Sequence, residues 1–448
     1  MGRKIATTIV TLVFLIMAAV PAGVEASNAD RGQTDLSSLP AIEAYLTSIG
    51  VDPGSVVVQQ GALNYAGPNC PGEGWNCTTA NMVVQISTAT SPGANIFDCF
   101  PALDATIPAL NECLIVQSSV LDPLETSTTT NSAGCTADIL EGSGKSKCTI
   151  RQTSKKRNNY ATYRGSITQG GESPQSAFEE VTFTQNSDTG NNTVKITQTI
   201  KQTLKTDLTT PVSQDQQARQ KATVTQTASS SGNNSSSVAQ SQFQDENASG
   251  GASITQNQNA ASAEKNQELT VTQTTSTGNN ISSFSQLINQ NQQAQSTPGP
   301  IMQTQGTPGT GGLKATVTQN VTTPNTGYNS NSTSLDEPQT QAAQTQGTKT
   351  QDQLGPEDCC GTQIGGIPEK NFNKVVERNA QHNDTGVGQS TEQRAKCSDT
   401  VGECSVDVTY TSNSGTNHDT MSGPSAAIFR TCTGTGEGGP TCTPFFPD

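Results

Sequence analysis

Amide side chains recur beside aliphatic residues through the middle of the chain, always at the same parity. In the clearest copy one face of the first strand holds Leu269, Val271 and Gln273, and one face of the second strand holds Asn280, Ser282, Phe284 and Gln286. This alternation predicts two short β-strands joined by a tight turn, with the amides on the buried face. A buried amide needs hydrogen-bond partners, and the nearest supply is an identical amide one strand away. The pattern therefore predicts Gln and Asn ladders between stacked strands.

The same pattern occurs in four copies. The glutamines that close the first strand of each copy are 41, 47 and 46 residues apart. The residues predicted to form ladders are Gln185, Asn192, Gln198, Gln226, Asn234, Gln240, Gln273, Asn280, Gln286 and Gln319. A repeat this regular is typical of stacked units that share one core. The alternative is a disordered low-complexity tract, which does not explain why the aliphatic residues keep one parity.

The twelve cysteines offer covalent cross-links, and all of them lie outside residues 149–358. Six precede the repeats and six follow them: Cys70, Cys77, Cys99, Cys113, Cys135, Cys148, Cys359, Cys360, Cys397, Cys404, Cys432 and Cys442. Even counts in an exported chain predict disulfides, although the sequence leaves the pairing open. Zinc ligation is not expected, because no C-x-x-C spacing exists and the chain has only two histidines.

Cysteine also takes the first inward position of the pattern near the ends. Two stretches show this pattern. Alternate residues are Cys113, Ile115 and Gln117 in the first, and Cys148, Ile150 and Gln152 in the second. We therefore expect the ends to be degenerate repeats, cross-linked into caps that close the open sheet edges.

Composition limits the classes of function. Apolar residues make up 31% and aromatic residues 4% of the 448 residues, which is too little for a conventional core along the whole chain. The net charge of −14 argues against nucleic acid as a partner. The basic start, the apolar run from residue 5 to 20 and the small residues Val24 and Ala26 predict a secretory signal peptide that is cut after Ala26. We expect a secreted, extracellular protein with no membrane insertion after cleavage.

No constellation of catalytic residues stands out. The chain lacks a G-x-S-x-G nucleophile elbow, and the phosphate-loop-like run at Gly142–Ser146 has Ile139 where the motif requires glycine. Carboxylates are frequent but not paired by any motif, so a β-solenoid carbohydrate-active enzyme stays open as an alternative. We predict no catalytic residue, no metal and no cofactor.

The predicted organisation has five parts. These are a signal peptide at 1–26, a cysteine-containing region at 27–148, the Gln/Asn/Thr-rich repeats at 149–334, a linker at 335–356 and a second cysteine-containing region at 357–448. One short helix is predicted at 38–50 from a Ser cap, an early proline and a Gly stop. The fold class is all-β: strand–turn–strand arches stacked as a β-solenoid or laid out as an elongated antiparallel sheet, with disulfide-bonded ends. The Gln-rich connectors could be strands or loops, and 296–312 is expected to break regular structure.

The order of apolar residues, Gln and Asn around the turn resembles the curlin repeat of bacterial functional amyloid, over about residues 181–330. The repeat here is longer and has cysteine-bearing ends. The resemblance implies an extracellular structural or adhesive protein that can form fibres, with further copies of itself or cell-surface and matrix material as partners. A surface-binding module for polysaccharide or ice is the alternative, through outward threonines of two strands: Thr223, Thr225, Thr227, Thr270, Thr272 and Thr274.

Overall fold

A computed structural model shows how the chain folds. It describes residues 39–87, 94–99, 110–119, 130–140, 144–172, 174–208, 210–250, 253–259, 266–296, 299–306, 312–323, 326–345, 349–359, 362–364, 367–383, 389–398, 403–412, 415–423, 425–434 and 441–444. The predicted signal peptide and Cys360 lie outside these residues. The chain divides into two units, Met1–Asp35 and Leu36–Asp448, and every described residue lies in the second.

The described residues form one α-helix, α1 (Leu39–Ser48), a short 3-10 helix (Pro53–Ser55) and β-strands. The strands are β1 (Val57–Gly61), β2 (Leu63–Ala66), β3 (Asn76–Thr78), β4 (Met82–Ser87), β5 (Ala94–Cys99), β6 (Leu110–Ser118), β7 (Thr130–Leu140), β8 (Gly144–Ser154), β9 (Asn159–Gly171), β10 (Gln175–Ser187), β11 (Asn192–Leu208), β12 (Val212–Ala228), β13 (Asn234–Gly250), β14 (Ile254–Gln258), β15 (Gln267–Thr275), β16 (Asn280–Ser296), β17 (Ile301–Gln305), β18 (Leu313–Val321), β19 (Tyr328–Gln344), β20 (Lys349–Cys359), β21 (Thr362–Ile364), β22 (Ile367–Asn383), β23 (Gln389–Ser398), β24 (Glu403–Ser412), β25 (Gly415–Gly423), β26 (Ser425–Gly434) and β27 (Thr441–Pro444).

The strands form two sheets between which the chain alternates. Sheet A contains β1, β4, β6, β8, β10 and β12 in spatial order, continues through the pairs β14/β15, β17/β18 and β20/β21, and ends with β23, β26 and β27. Sheet B runs β3, β2, β5, β7, β9, β11, β13, β16, β19, β22, β24 and β25. Neighbouring strands are parallel except where β25, β26 and β27 join. The all-β class is thus confirmed, and the arches stack as a solenoid instead of lying in one antiparallel sheet.

Successive arches stack in register. Gln185 of β10 is level with Gln226 of β12, which is level with Gln273 of β15. Inward and outward side chains alternate along each strand, so every inward residue meets the equivalent residue of the next arch. Most of the inward aliphatic residues build one cluster that runs from Ala66 to Val408, and two smaller inward clusters lie further from the turns.

Two expectations about irregular segments were wrong. The predicted linker at 335–356 lies mostly within β19 and β20, which pair with β16 and β17. The segment 296–312 contains β17, although three prolines flank or enter it. In both cases the polar sequence has few inward aliphatic residues, such as Leu335 and Ile301, but it keeps inward glutamines, and the neighbouring arches supply their partners. The Gln-rich connectors, left open by the sequence, are likewise strands.

The turns stack as closely as the strands. A Cβ atom on Gly232 would lie 2.1 Å from the carbonyl oxygen of Gly190, and one on Gly278 would lie 2.0 Å from that of Gly232. Only glycine allows one turn to approach the next so closely. The asparagine after each glycine then accepts a hydrogen bond from the next turn, as Asn191 Oδ1 does from the backbone N–H of Asn233 at 3.0 Å.

The helix α1 covers part of the outer face of sheet A. Ile42 and Leu46 pack with the outward residues of β4 and β6, including Val84 and Val116. Arg151 of β8 lies beneath the ring of Tyr45, 4.3 Å from its centroid. The helix expected from the sequence is therefore present, and it shields the side of the stack near its N-terminal end.

Candidate functional site: amide ladders and the two ends of the stack

The longest amide ladder follows the turn-proximal end of sheet A. Each Nε2 donates to the Oε1 of the preceding arch at 2.7–2.9 Å. Its eight members are Gln59, Gln85, Gln117, Gln152, Gln185, Gln226, Gln273 and Gln319. The ladder therefore extends through both the central repeats and the N-terminal cysteine-containing arches.

An asparagine ladder faces it from sheet B, on the other side of each turn. Its members are Asn64, Asn95, Asn131, Asn159, Asn192, Asn234, Asn280 and Asn329. Each Nδ2 donates to the Oδ1 of the following arch at 2.8–2.9 Å. The amide dipoles of the two ladders thus point in opposite directions along the stack, so their fields oppose each other.

The second amide proton ties the sheets together. Gln226 Nε2 also donates to the carbonyl of Ser235 at 3.0 Å, in sheet B. Asn234 Nδ2 donates in the reverse sense to the carbonyl of Thr274 at 2.8 Å, in sheet A. Each such amide uses both of its donors and its acceptor, which satisfies groups that are fully buried. Each ladder amide therefore joins neighbouring arches and also joins the two sheets on either side of the turn.

Further ladders fill the half of the core that is remote from the turn. One consists of the predicted Gln198, Gln240 and Gln286. The others are Gln169, Gln202, Gln244, Gln290 and Gln339; Gln214, Gln256, Gln303 and Gln351; and Gln175, Gln216, Gln258, Gln305 and Gln353. Sequence reasoning missed most of these residues, although several have a buried aliphatic residue two positions earlier, as Gln202 has Ile200 and Gln256 has Ile254. Their shared parity within the Gln-rich connectors was the available signal.

A buried glutamate begins one short ladder. Glu179 Oε2 accepts from Gln220 Nε2 at 2.9 Å, and Glu179 Oε1 accepts from the hydroxyl of Tyr163 at 3.2 Å. The side chain fits because Gly165 leaves its space open: a Cβ there would lie 1.9 Å from Glu179 Oε1. Burial raises the pKa of Glu179 to about 8. The group is therefore a neutral acid at neutral pH and can itself donate a proton in a hydrogen bond.

A second buried glutamate begins another ladder. Glu246 Oε2 accepts from Gln292 Nε2 at 2.9 Å, and Gln341 and Gln381 continue the column. Burial, chiefly, and the nearby carboxylate of Asp215 raise the pKa of Glu246 to about 9. In both columns the acid sits at the N-terminal foot, where the first amide of the ladder needs an acceptor. Neither acid was singled out by the sequence.

Two disulfides cross the core of the N-terminal arches. Cys99 of β5 binds Cys113 of β6, and Cys135 of β7 binds Cys148 of β8. Both therefore join sheet B to sheet A, and they stack as consecutive rungs because Cys113 is level with Cys148. All four side chains are at most 3% exposed.

Two other disulfides hold strands at the sheet edges. Cys70 binds Cys77 of β3, the first strand of sheet B, and Cys432 of β26 binds Cys442 of β27, the last strand of sheet A. In the C-terminal region the backbones of Cys359 and Cys397 are level with each other. Cys404 lies in β24 on the opposite sheet.

The outer face of sheet A is uniform. Across β10, β12, β15 and β18, three columns of outward positions hold threonine at ten of twelve sites, the others being Asn186 and Asn320. The predicted outward threonines of β12 and β15 all belong to this array. A neighbouring column alternates in charge from arch to arch: Glu112, Lys147, Glu180, Lys221, Glu268 and Lys314. Lys147 lies 3.6 Å from Glu112, and Lys314 lies 3.6 Å from Glu268.

Within the described part of the chain, no group of three His, Cys, Asp or Glu side chains is placed to hold a metal ion. None of the helices described there has the length and apolarity of a membrane span. His418 and Asp407 form an exposed pair at 2.6 Å near the C-terminal edge. Comparison with known proteins finds no matching family model, no matching curated protein and no matching solved structure.

Proposed function

We propose that this chain is a secreted structural or adhesive protein, which acts outside the cell through the stiffness of its laddered core and does not catalyse a reaction. The observation that supports the proposal is the unbroken ladder from Gln59 to Gln319, matched by the asparagine ladder on the other side of the turn. Buried amide stacks of this kind occur in cross-β assemblies and resist local opening.

Disulfides support an extracellular setting. Disulfides persist in oxidising compartments, and the chain has them across the core and at the edges. The signal peptide predicted at 1–26 agrees with export. Protease resistance follows from the same features, because a protease needs a segment of several residues released from both of its neighbouring strands.

The size of one chain bears on how it would act. Twelve strands of sheet B at a spacing of ~4.8 Å make a stack about 50 Å high. The strands of seventeen residues are themselves about 55 Å long. The unit Leu36–Asp448 is therefore about as wide as it is high, and a longer fibre requires copies of it to join end to end, as the curlin-like repeat pattern implies. Attachment of single units to matrix material is the other route to the same role.

The test is made on the oxidised protein without its signal peptide. Hydrogen exchange should find the backbone amides around Gln226 and Gln273 protected to the level of global unfolding. Fibres, where they form, should give a cross-β reflection at ~4.7 Å. If these amides exchanged as fast as those of a free peptide, the proposal would be wrong, because the chain would then have no stiff element.

A second candidate function rests on the threonine array of sheet A. The array is regular in two directions and carries no charged or aromatic residue, so it suits a repeating hydroxyl-bearing or water surface such as polysaccharide or ice. Thr225→Lys with Thr272→Lys should abolish such binding. Ser237→Lys with Ser283→Lys, adjacent outward residues of sheet B, are the matched control and should leave it intact. Equal loss in both variants would argue against a role for the array.

A further inference from the structure

Each end of the stack has one sheet that finishes in a very short, disulfide-held strand. At the N-terminal end β3 has three residues, and Cys77 within it is bound to Cys70. At the C-terminal end β27 has four residues, and Cys442 within it is bound to Cys432 of β26. Strands so short have too few hydrogen bonds to stay paired unaided. The disulfides therefore retain strands that would otherwise leave the sheet edge.

The strand β3 closes both long ladders at their N-terminal end. Gln59 Nε2 donates to the carbonyl of Asn76 at 2.7 Å, and Asn76 Nδ2 donates to Asn64 Oδ1 at 3.3 Å. If β3 left, Gln59 would lose an acceptor and Asn64 would lose a donor. A strand that brings an amide and a carbonyl at the same spacing would replace both. A second copy of this chain contains many such strands.

The strand β27 closes sheet A at the other end. It pairs antiparallel with β26, and its last residue, Pro444, has no N–H to offer an incoming strand. Its release would uncover residues 430–433 of β26, the four that it pairs with, and so give the ten-residue strand one continuous open edge. A two-sheet stack can grow only where both sheets accept a strand, so β3 and β27 each block one end.

The four disulfides seen among the described residues differ in how a reductant can reach them. Cys70 and Cys77 are both exposed, and Cys442 is partly exposed while its partner Cys432 is buried, so a thiolate reaches the second edge disulfide at Cys442. The core-crossing cysteines Cys99, Cys113, Cys135 and Cys148 are buried. Exposed disulfides exchange with thiols far faster than buried ones. Mild reduction would thus open the edges first and leave the core cross-links in place.

We propose that the disulfides Cys70–Cys77 and Cys432–Cys442 are locks that keep the stack from pairing with a second copy of this chain, and that their reduction opens the ends to assembly. The inference rests on the self-assembling form of the proposed function. The reductant is a dithiol: its thiolate attacks one sulfur, a mixed disulfide forms, and its second thiol displaces the protein thiol. Each protein disulfide gains two electrons and two protons and becomes two thiols, while the dithiol becomes a cyclic disulfide.

The experiment compares oxidised wild type with Cys70→Ser/Cys77→Ser, Cys432→Ser/Cys442→Ser and the combination of both pairs, by sedimentation velocity and electron microscopy. We expect the oxidised wild type to stay monomeric, each single-end variant to form small oligomers, and the combined variant to form long assemblies. Wild type treated briefly with dithiothreitol should behave like the combined variant. Mass-spectrometric mapping of alkylated thiols should find Cys70 and Cys77 modified at least ~10 times faster than Cys135 and Cys148.

Two controls separate the lock from loss of folding. Hydrogen exchange around Gln226 must stay slow in every variant, because the edge strands lie far from that rung. Cys135→Ala/Cys148→Ala, which removes a core disulfide and leaves both edges, must not assemble while oxidised. If the oxidised wild type assembled as fast as the combined variant, the edge disulfides would not control assembly, whereas the proposed self-assembling function would stand. Monomers under all conditions, with the edge thiols shown to be alkylated, would overturn both.

Discussion

The N-terminal arches and the central arches share two ladders but are held together differently. From β5 to β8 the strands have six to eleven residues, and two disulfides cross from sheet to sheet. From β11 to β13 the strands have seventeen residues, and extra glutamine ladders run beside the shared pair. Among the described residues, the extra ladders begin at β9 and β10, just where the cross-sheet disulfides stop.

The difference indicates that covalent and amide cross-links substitute for each other. A short arch has room for one inward amide per strand beside its aliphatic residues, so it lacks the cross-sheet bonds that further amides provide. A disulfide that closes a loop of about 14 residues contributes roughly 3 kcal/mol. A satisfied amide bond contributes about 1 kcal/mol, so two or three extra rungs per arch have a comparable effect.

Removing a rung from the central region should have the largest effect. Gln226→Ala leaves the acceptor of Gln185 and the donor of Gln273 unpaired and creates a cavity, so we expect a loss on the order of 3–4 kcal/mol in the free energy of unfolding. Denaturant titration measures it, and Thr225→Ala on the outer face should stay within about 0.5 kcal/mol.

The equivalent change in the cross-linked region sharpens the comparison. Gln117→Ala removes the same contacts from β6, whose neighbours are joined by disulfides. Hydrogen exchange should detect local opening around Gln226→Ala but not around Gln117→Ala. Equal opening in both regions would contradict the substitution of one cross-link by the other.

Removing a core disulfide should have the next largest effect. Cys135→Ala/Cys148→Ala should lower the free energy of unfolding by about 2–3 kcal/mol, because the bond closes a loop with a sequence separation of 13. The loss of exchange protection should be confined to β5–β9. Spread of the loss into β12 and β13 would mean that the two regions unfold as one unit.

The buried acids of the central ladders should make stability depend on pH. The pKa of Glu246 is about 9 in the folded protein and near its ordinary value of 4.5 in the unfolded chain. Between pH 4.5 and 9 the carboxyl group is therefore protonated in the folded protein and ionised in the unfolded chain. Stability is therefore complete below about pH 4.5 and falls as pH rises towards 9. Glu246→Gln, which supplies an amide at the foot of the same ladder, should flatten this profile and raise stability at pH 8 by on the order of 1–3 kcal/mol. A profile unchanged by the substitution would show that Glu246 is ionised in the fold.

The outer charge column should have the smallest effect. Lys221→Glu places three acidic residues in consecutive arches, and we expect a loss of about 0.5 kcal/mol that disappears at ~1 M salt. Lys221→Gln is the control and should cost less. A loss that persists in high salt would point to packing of the lysine stem and not to charge.

The sequence by itself determined which side chains face inward in the four repeats beside the turns. Alternation along a strand is local, so the parity of Val224, Gln226 and Val238 was enough to predict the buried face, the turn and the ladder residues. The same parity placed Cys113 and Cys148 in the first inward position. The all-β class and the single short helix follow from these local signals.

Only the tertiary structure decided which strand lies beside which. Strands that pair belong to arches about 30 to 50 residues apart, and nothing local distinguishes a parallel stack from a flat antiparallel sheet. The pairing of Cys99 with Cys113, the strands within 335–356 and the opposite polarity of the two ladders all depend on that choice. The roles of Glu179 and Glu246 also depend on that choice. Each carboxyl group begins a ladder only because the neighbouring arch places a glutamine beside it.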